Sequence, residues 1–258
     1  MRAALHAEWT KMRTVPGPPW LLLGTVVLTV ALGAAITSAM SCGTDGCGTD
    51  ATRLSLTGVD LGQALVVILA VLMVSGEYST GVFRMSLTAV PRRATVLAAK
   101  AITLTGTVVA AGTVAVGGST LAARFILPAN GFTAAHGHPA PSLTDGATLR
   151  AVVGSVLYLA LIGLLSLGVA TAVRDSATSI GLVLGLLYLF PILSGIIDNP
   201  HWQRLLEQLG PMSAGLAIQA TTDLSALPIG PWAGLGVLAA WAAGALFLGG
   251  LLLHLRDA

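Results

Sequence analysis

Residues 77–100 read EYSTGVFRMSLTAVPRRATVLAAK and hold Glu77, Arg84, Arg92, Arg93 and Lys100. These are five of the chain's 24 charged residues. The runs on either side, residues 61–76 and 101–123, carry no charge at all. Charge gathered between two apolar runs marks a segment that leaves a bilayer between two crossings.

The rest of the composition agrees. Of 258 residues, 55% are hydrophobic and 9% charged, and the mean hydropathy is +0.85. A soluble domain carries about 25% charged residues, so the chain cannot clothe a water-exposed surface and reads as a polytopic membrane protein. A net charge of +2 gives no electrostatic footprint for nucleic acid. The length suits six spans with short loops and leaves no room for a separate catalytic domain.

A bilayer core takes about 20 apolar residues per helix. Six runs qualify: residues 20–40, 61–76, 101–123, 151–173, 176–197 and 232–253. The second is the shortest and extends through Asp60 or Glu77. The expected fold is therefore an all-α integral membrane protein, one domain over residues 1–258, with a six-helix bundle over 20–253. Residues 1–19 precede it. Leu5, Trp9 and Met12 recur at helical spacing, with Arg2, His6, Lys11 and Arg13 on the remaining face. That pattern is a basic amphipathic helix lying in the headgroup plane, broken by Pro16, Pro18 and Pro19. A signal peptide is the competing reading, but the run over 20–40 exceeds the ~7–15 residues of such a core.

Lys and Arg fix the orientation. With the N-terminus in the cytoplasm, nine lie in inner segments, against Arg53, Arg124, Arg150 and Arg204 outside. Both termini and residues 77–100 are then cytoplasmic, in the plasma membrane. Cys42 and Cys47 fall outside, where disulfides persist, and a small bridged loop is favoured over two free thiols. The connection over 198–231 holds an amphipathic segment at 201–209 and a semi-apolar one at 212–220, which lies at the outer interface or dips back.

Every Asp, Glu, Lys and Arg falls at or near the end of a span, so no buried ionisable cluster of the kind ion-coupled transporters use is expected. Hydroxyls such as Thr107, Thr113, Ser166 and Thr171 read as packing and back-bonding groups. Gly181 and Gly185 form a small-xxx-small pair, and Pro191 kinks the fifth span or marks its outer end. No phosphate-binding loop or zinc-protease motif occurs. His136, His138, His201 and Asp145 lack the spacing of a metal site. In the opening stretch, Ser79 or Thr80 caps a short helix bearing Phe83 and Arg84, and Pro91 starts a second. A basic loop anchored to headgroups is the plain reading; two helical pieces with an apolar side suit a protein-docking surface.

At these residues the chain resembles the membrane subunits of ABC-2-type transporters, especially actinobacterial drug and lantibiotic exporter permeases. Glu8-Trp9-Thr10-Lys11-Met12-Arg13-Thr14 is similar to the family's E-x-x-K-L-R-[ST] segment, with Met12 in place of Leu. Glu77-Tyr78-Ser79-Thr80-Gly81-Val82-Phe83-Arg84 is similar to E-x-x-x-G-T-x-R, with Val82 in place of Thr, and Pro91-Arg92-Arg93 with Ala99-Lys100 to the following P-x-R…A-K.

The resemblance implies a permease subunit without enzymatic activity or cofactor of its own, ATP and Mg being bound by a separate ATP-binding subunit. Glu77, Tyr78, Gly81, Phe83, Arg84, Pro91, Arg92 and Arg93 would belong to the coupling connection that docks on that partner. Glu8, Trp9, Lys11 and Arg13 would belong to the interfacial connecting helix. A second permease copy would complete the path, and transport would run outward, as in multidrug or antibiotic efflux. The alternative is an ATP-independent secondary transporter or channel, which calls for a buried polar or ionisable cluster.

Overall fold

The computed structural model describes residues 1–40, 50–79, 93–132, 142 and 144–255, and among these the chain is helical with no strand. Among the described residues ten α-helices follow one another: α1 (Arg2–Thr14), α2 (Gly17–Ala39), α3 (Ala51–Leu56), α4 (Val59–Ser79), α5 (Arg93–Ala129), α6 (Gly146–Val173), α7 (Ser176–Ile196), α8 (Pro200–Leu209), α9 (Pro211–Leu216) and α10 (Pro231–Leu255). Six helical stretches are long and apolar enough to cross a membrane, at the positions expected from the sequence.

The boundaries differ from the apolar runs for identifiable reasons. The first span begins at Gly17 because Pro18 and Pro19 sit in its opening turn, where a missing N–H costs nothing. The second gains turns at both ends, taking in Asp60 and Glu77. The third is 37 residues long. At 1.5 Å per residue it measures roughly 55 Å against a hydrocarbon core of about 30 Å, so its ends project from the apolar layer.

Helix α6 is the axis of the bundle. In its apolar stretch 67% of residues are buried, against 22% for α2, α7 and α10. It packs on α4, α5, α7 and α10. Its hydroxyls turn back on their own helix, as Ser166 does to the Ile162 carbonyl and Thr171 to that of Leu167 (both 2.7 Å). Back-bonding of this kind satisfies a polar group where no water reaches.

Close approach of backbones supplies the packing that lipid cannot drive. Gly168 on α6 faces the α10 backbone so tightly that an added Cβ would lie 2.5 Å from the Ala245 carbonyl carbon, and Gly249 meets the Gly168 oxygen in the same way. Helices α6 and α7 meet in a hairpin of two residues. Arg174 takes a left-handed conformation (φ 66°) and closes on the Ala170 carbonyl at 2.9 Å; Asp175 caps α7 through the Thr178 N–H at 2.8 Å. Those Thr178 hydrogen bonds hold the Asp175 carboxyl below the usual carboxylate range.

The α10 C-terminal turns lie against the start of α5, which in turn contacts α1, so the first helix and the end of the last occupy one end of the bundle, here the terminal end. At the opposite end the connection after α7 folds inward. Amphipathic α8 has no buried residue, whereas Pro211, Met212, Ala214 and Gly215 of α9 are buried among α7, α6 and α10. Of the two placements open to this connection, its second half takes the one inside the bundle. Asp50 anchors it there. Its carboxylate caps α3 through the Thr52 and Arg53 N–H groups (3.0 and 3.1 Å) and accepts from the Thr221 N–H and hydroxyl and the Thr222 N–H. Arg150 adds a 2.6 Å bond to the Ala220 carbonyl.

The crossing of α6 and α10 yields a matched test. Gly168→Ala forces backbone apart and should cost about 1–3 kcal/mol, the usual scale of overpacking. Gly236→Ala, whose Cβ meets open space, should be neutral or stabilising by up to about 1 kcal/mol through helix propensity. Thermal unfolding of the two variants in detergent, followed by helical circular dichroism, separates them; equal midpoints would refute the close contact.

Candidate functional site

Four charged side chains meet at the terminal end. Glu8 and Lys11 lie one turn apart on α1, Glu77 in the last turn of α4, and Lys100 in the second turn of α5. Lys100 is 1% exposed. It donates to the Glu8 carboxylate (3.0 and 3.2 Å), to Glu77 Oε1 (2.6 Å) and to the Met73 carbonyl (3.2 Å). Its three hydrogens are thereby fully used. Lys11 donates to the same Glu77 oxygen at 2.7 Å and to Glu8 Oε1 at 3.2 Å. Two cations and two carboxylates leave no net charge, which is how ions survive burial at all.

The arrangement overturns one expectation from the sequence. Charges at span ends do form a buried ionisable cluster, because α1 folds its polar side onto the bundle. The residues of α1 buried against the bundle are Glu8 and Met12, while Trp9 is 49% exposed and Arg13 is also exposed. An apolar stripe cannot reveal a face whose centre is a glutamate. Burial by itself would lower the Lys11 pKa, but its hydrogen bond to Glu77 and the nearby charges of Glu77 and Glu8 outweigh that and raise it. A lysine pKa raised by folding stabilises fully below the ordinary lysine range, and that contribution is lost only as pH climbs through the raised value.

Tyr78 points the other way from Glu77. Its ring carries the Arg174 guanidinium 5.2 Å from the centroid, a cation–π contact between the end of α4 and the α6–α7 hairpin. The last turns of α4 are thus held on two sides, by α1 and α5 through Glu77 and by the hairpin through Tyr78. Among the sequence-predicted residues, Glu8, Lys11, Glu77 and Tyr78 come together here. Lys100, in sequence one of five charges in residues 77–100, is the centre of the group, and Arg174 is an addition. Arg93 opens α5. Gly81, Phe83, Arg84, Pro91 and Arg92, with the capping candidate Thr80, lie outside the described residues, as do Cys42 and Cys47 and the histidines His136 and His138.

A second buried cluster, neutral in its side chains, joins α4 to α6, α7 and α9. Gln63, fully buried, donates from Nε2 to the Asp60 carbonyl (2.9 Å), to Met212 Sδ (3.3 Å) and to the Tyr188 hydroxyl (3.4 Å). The buried Tyr158 hydroxyl donates to Gln63 Oε1, and the Tyr188 hydroxyl to the Asp60 carbonyl at 2.6 Å. A survey of charges and small hydroxyls misses this group; a lone Gln within an otherwise apolar run was the available signal. Among the described residues, no three His, Cys, Asp or Glu side chains converge as a metal site would require.

Comparison with protein-family models and with curated proteins finds no match to this chain.

Two variants test the clusters. Lys100→Met leaves two carboxylates to one cation and should destabilise by about 3–5 kcal/mol, as for a broken buried ion pair. Adding Glu8→Gln restores neutrality and should recover part of that loss, which a double-mutant cycle of unfolding midpoints reads directly. Strictly additive losses would show that Glu8 and Lys100 do not interact. At the other cluster, Tyr158→Phe strands the Gln63 oxygen and should cost about 1–3 kcal/mol; an unchanged midpoint would exclude that bond.

Proposed function

We propose that this chain is the membrane-spanning permease subunit of an ATP-driven exporter of the ABC-2 type, moved by a separate ATP-binding subunit. One observation carries the reading. The segments on which the resemblance rests are far apart in sequence, at Glu8 and Lys11, at Glu77 and at Lys100, yet these four residues form a single ion quartet, three of them buried. A motif residue held by other motif residues has a physical reason to be there. In this case the reason is mechanical: the quartet ties α1, α4 and α5 together on both flanks of the connection over residues 80–92.

In this reading the connection docks in a groove of the partner. ATP binding closes a pair of partners, the docked segments act as levers, and a path between two permease copies opens outward. Both termini and the docking connection are cytoplasmic in the plasma membrane, as the Lys/Arg bias indicates. Work comes from ATP bound with Mg on the partner, and this chain binds no cofactor. The substrate class that fits is an amphiphilic drug or peptide antibiotic.

The placement of Glu77 decides how docking should be tested. Reversing its charge would break the quartet and confound coupling with folding, so Phe83 and Arg84 are the informative positions. The chain, purified in mild detergent from its own host, should bring down a soluble ATP-binding-cassette protein at near-equal stoichiometry. Phe83→Ala with Arg84→Glu should remove it while the permease stays folded and inserted. A preparation free of that protein that still moves solute across vesicles would overturn the proposal. It would favour the second reading, an ATP-independent transporter or channel, to which the Gln63–Tyr158–Tyr188 cluster lends specific support as buried polar groups within the spans.

A further inference from the structure

Beside the ion quartet lies a cavity of about 510 Å³ between α1, the start of α2 and the terminal half of α4. Its wall is mainly apolar, from Met12, Leu21, Leu69, Leu72, Met73 and Gly76, while Glu8, Lys11 and Glu77 close one end. Leu72 is 44% exposed and Gly76 is exposed, so the cavity opens sideways at the surface of the bundle rather than being sealed within it. A volume in the range of ~300–1,000 Å³ is that of sites for small organic molecules.

We propose that this cavity is a binding site for one membrane phospholipid, with an acyl chain against α2 and α4 and the phosphate at Lys11. Three observations select that occupant. Depth is the first: Leu69 to Gly76 belong to the last turns of an apolar span, and α1 is an amphipathic helix of the kind that lies at the boundary between headgroups and chains. The surrounding medium at an opening there is phospholipid itself.

The second is the apolar wall. Aliphatic cavities hold water poorly, and one of about 150 Å³ can stay dry. A cavity more than three times larger would forfeit the dispersion contacts of its whole lining if it stayed empty. A flexible hydrocarbon chain restores them.

The third is charge. Among the ionised groups at the closed end, the Lys11 side chain is 36% exposed, whereas those of Glu8 and Glu77 are 6% and 11% exposed and both accept from Lys100. The accessible charge is therefore cationic, with an ammonium hydrogen suited to a phosphate oxygen. The site is independent of whether an ATP-binding partner exists.

The test uses the full chain, reconstituted in vesicles of phosphatidylglycerol and phosphatidylcholine and released in mild detergent for native mass spectrometry. The expected spectrum shows one phospholipid adduct per chain. Gly76→Leu, whose new side chain starts in open space, should fill the cavity and abolish the adduct with little change in unfolding midpoint. If that variant fails to fold, Leu72→Phe fills the cavity from an exposed position. Vesicles doped with diacylglycerol supply the headgroup control: it lacks the phosphate and should be retained several-fold less than either phospholipid. An adduct that persists in the filled variants would place the lipid elsewhere. Equal retention of diacylglycerol would remove Lys11 from the site, and a spectrum showing only detergent or another amphiphile would overturn the lipid as occupant.

Discussion

The Lys100 ammonium is the constraint on which the terminal half of the molecule depends. At 1% exposure it has no access to water, and an unpaired ammonium in such a place is costly enough to lose its proton or unfold its surroundings. It is kept by Glu8 from α1, by Glu77 and the Met73 carbonyl from α4, and by nothing on its own helix. Three helices must therefore be in place together. Helix α1 would otherwise be free to lie anywhere in the interface, because its apolar residues alone are few. A buried quartet of this sort adds modestly to net stability while defining one arrangement against its alternatives, since any shift of α1 leaves charges unpaired. For this chain specificity is the better description of its role.

Away from that end, the bundle is held by shape. Helix α6 is long, deeply buried and bordered on one side by the glycine contact with α10, where Gly168 and Gly249 bring two backbones together. Lipid tails are as apolar as leucine, so burial of leucine drives little association inside a bilayer, and close packing with internal satisfaction of hydroxyls takes its place. The inward-folded α9 follows the same logic. Its short helix is tolerated at that depth because its polar neighbours are met by Gln63, Arg150 and Asp50 rather than by lipid.

These two kinds of order differ in how far sequence reveals them. The six crossings and the near absence of charge within them follow from hydropathy, as does the two-part character of the segment after α7. Span lengths were less legible, because α4 incorporates Asp60 and Glu77 and α5 extends past its apolar run at both ends; Glu77, held by Lys11 and Lys100, does not end its helix. The ion quartet was half legible. Glu8, Lys11 and Glu77 were singled out through a resemblance, and Lys100 was quoted with them, yet their mutual contact spans 92 residues of sequence and no local pattern encodes it. The apolar stripe of α1 is silent on the inward packing of Glu8 for the same reason. The Gln63 cluster offered one signal, a lone Gln in an apolar run, and nothing local ties that residue to Tyr158 or Tyr188.

Helix α4 carries a member of both clusters, Glu77 near one end and Gln63 near the other. Fourteen residues of uninterrupted helix put them roughly 21 Å apart at 1.5 Å per residue. A helix of that length transmits displacement as a rod rather than absorbing it. Moving its terminal end relative to α6 would strain the Tyr78–Arg174 contact with the hairpin, and the same motion at the other end would strain the Gln63 bonds to Tyr158 and Met212. The two ends differ in what resists such motion. Ion pairs at one end hold α4 to α1 and α5. Hydrogen bonds between neutral groups at the other end hold α4 to α6, α7 and α9, and these are individually weaker and more readily exchanged. The two ends of α4 are therefore secured by different means, ion pairs to α1 and α5 at one and hydrogen bonds between neutral groups to α6, α7 and α9 at the other.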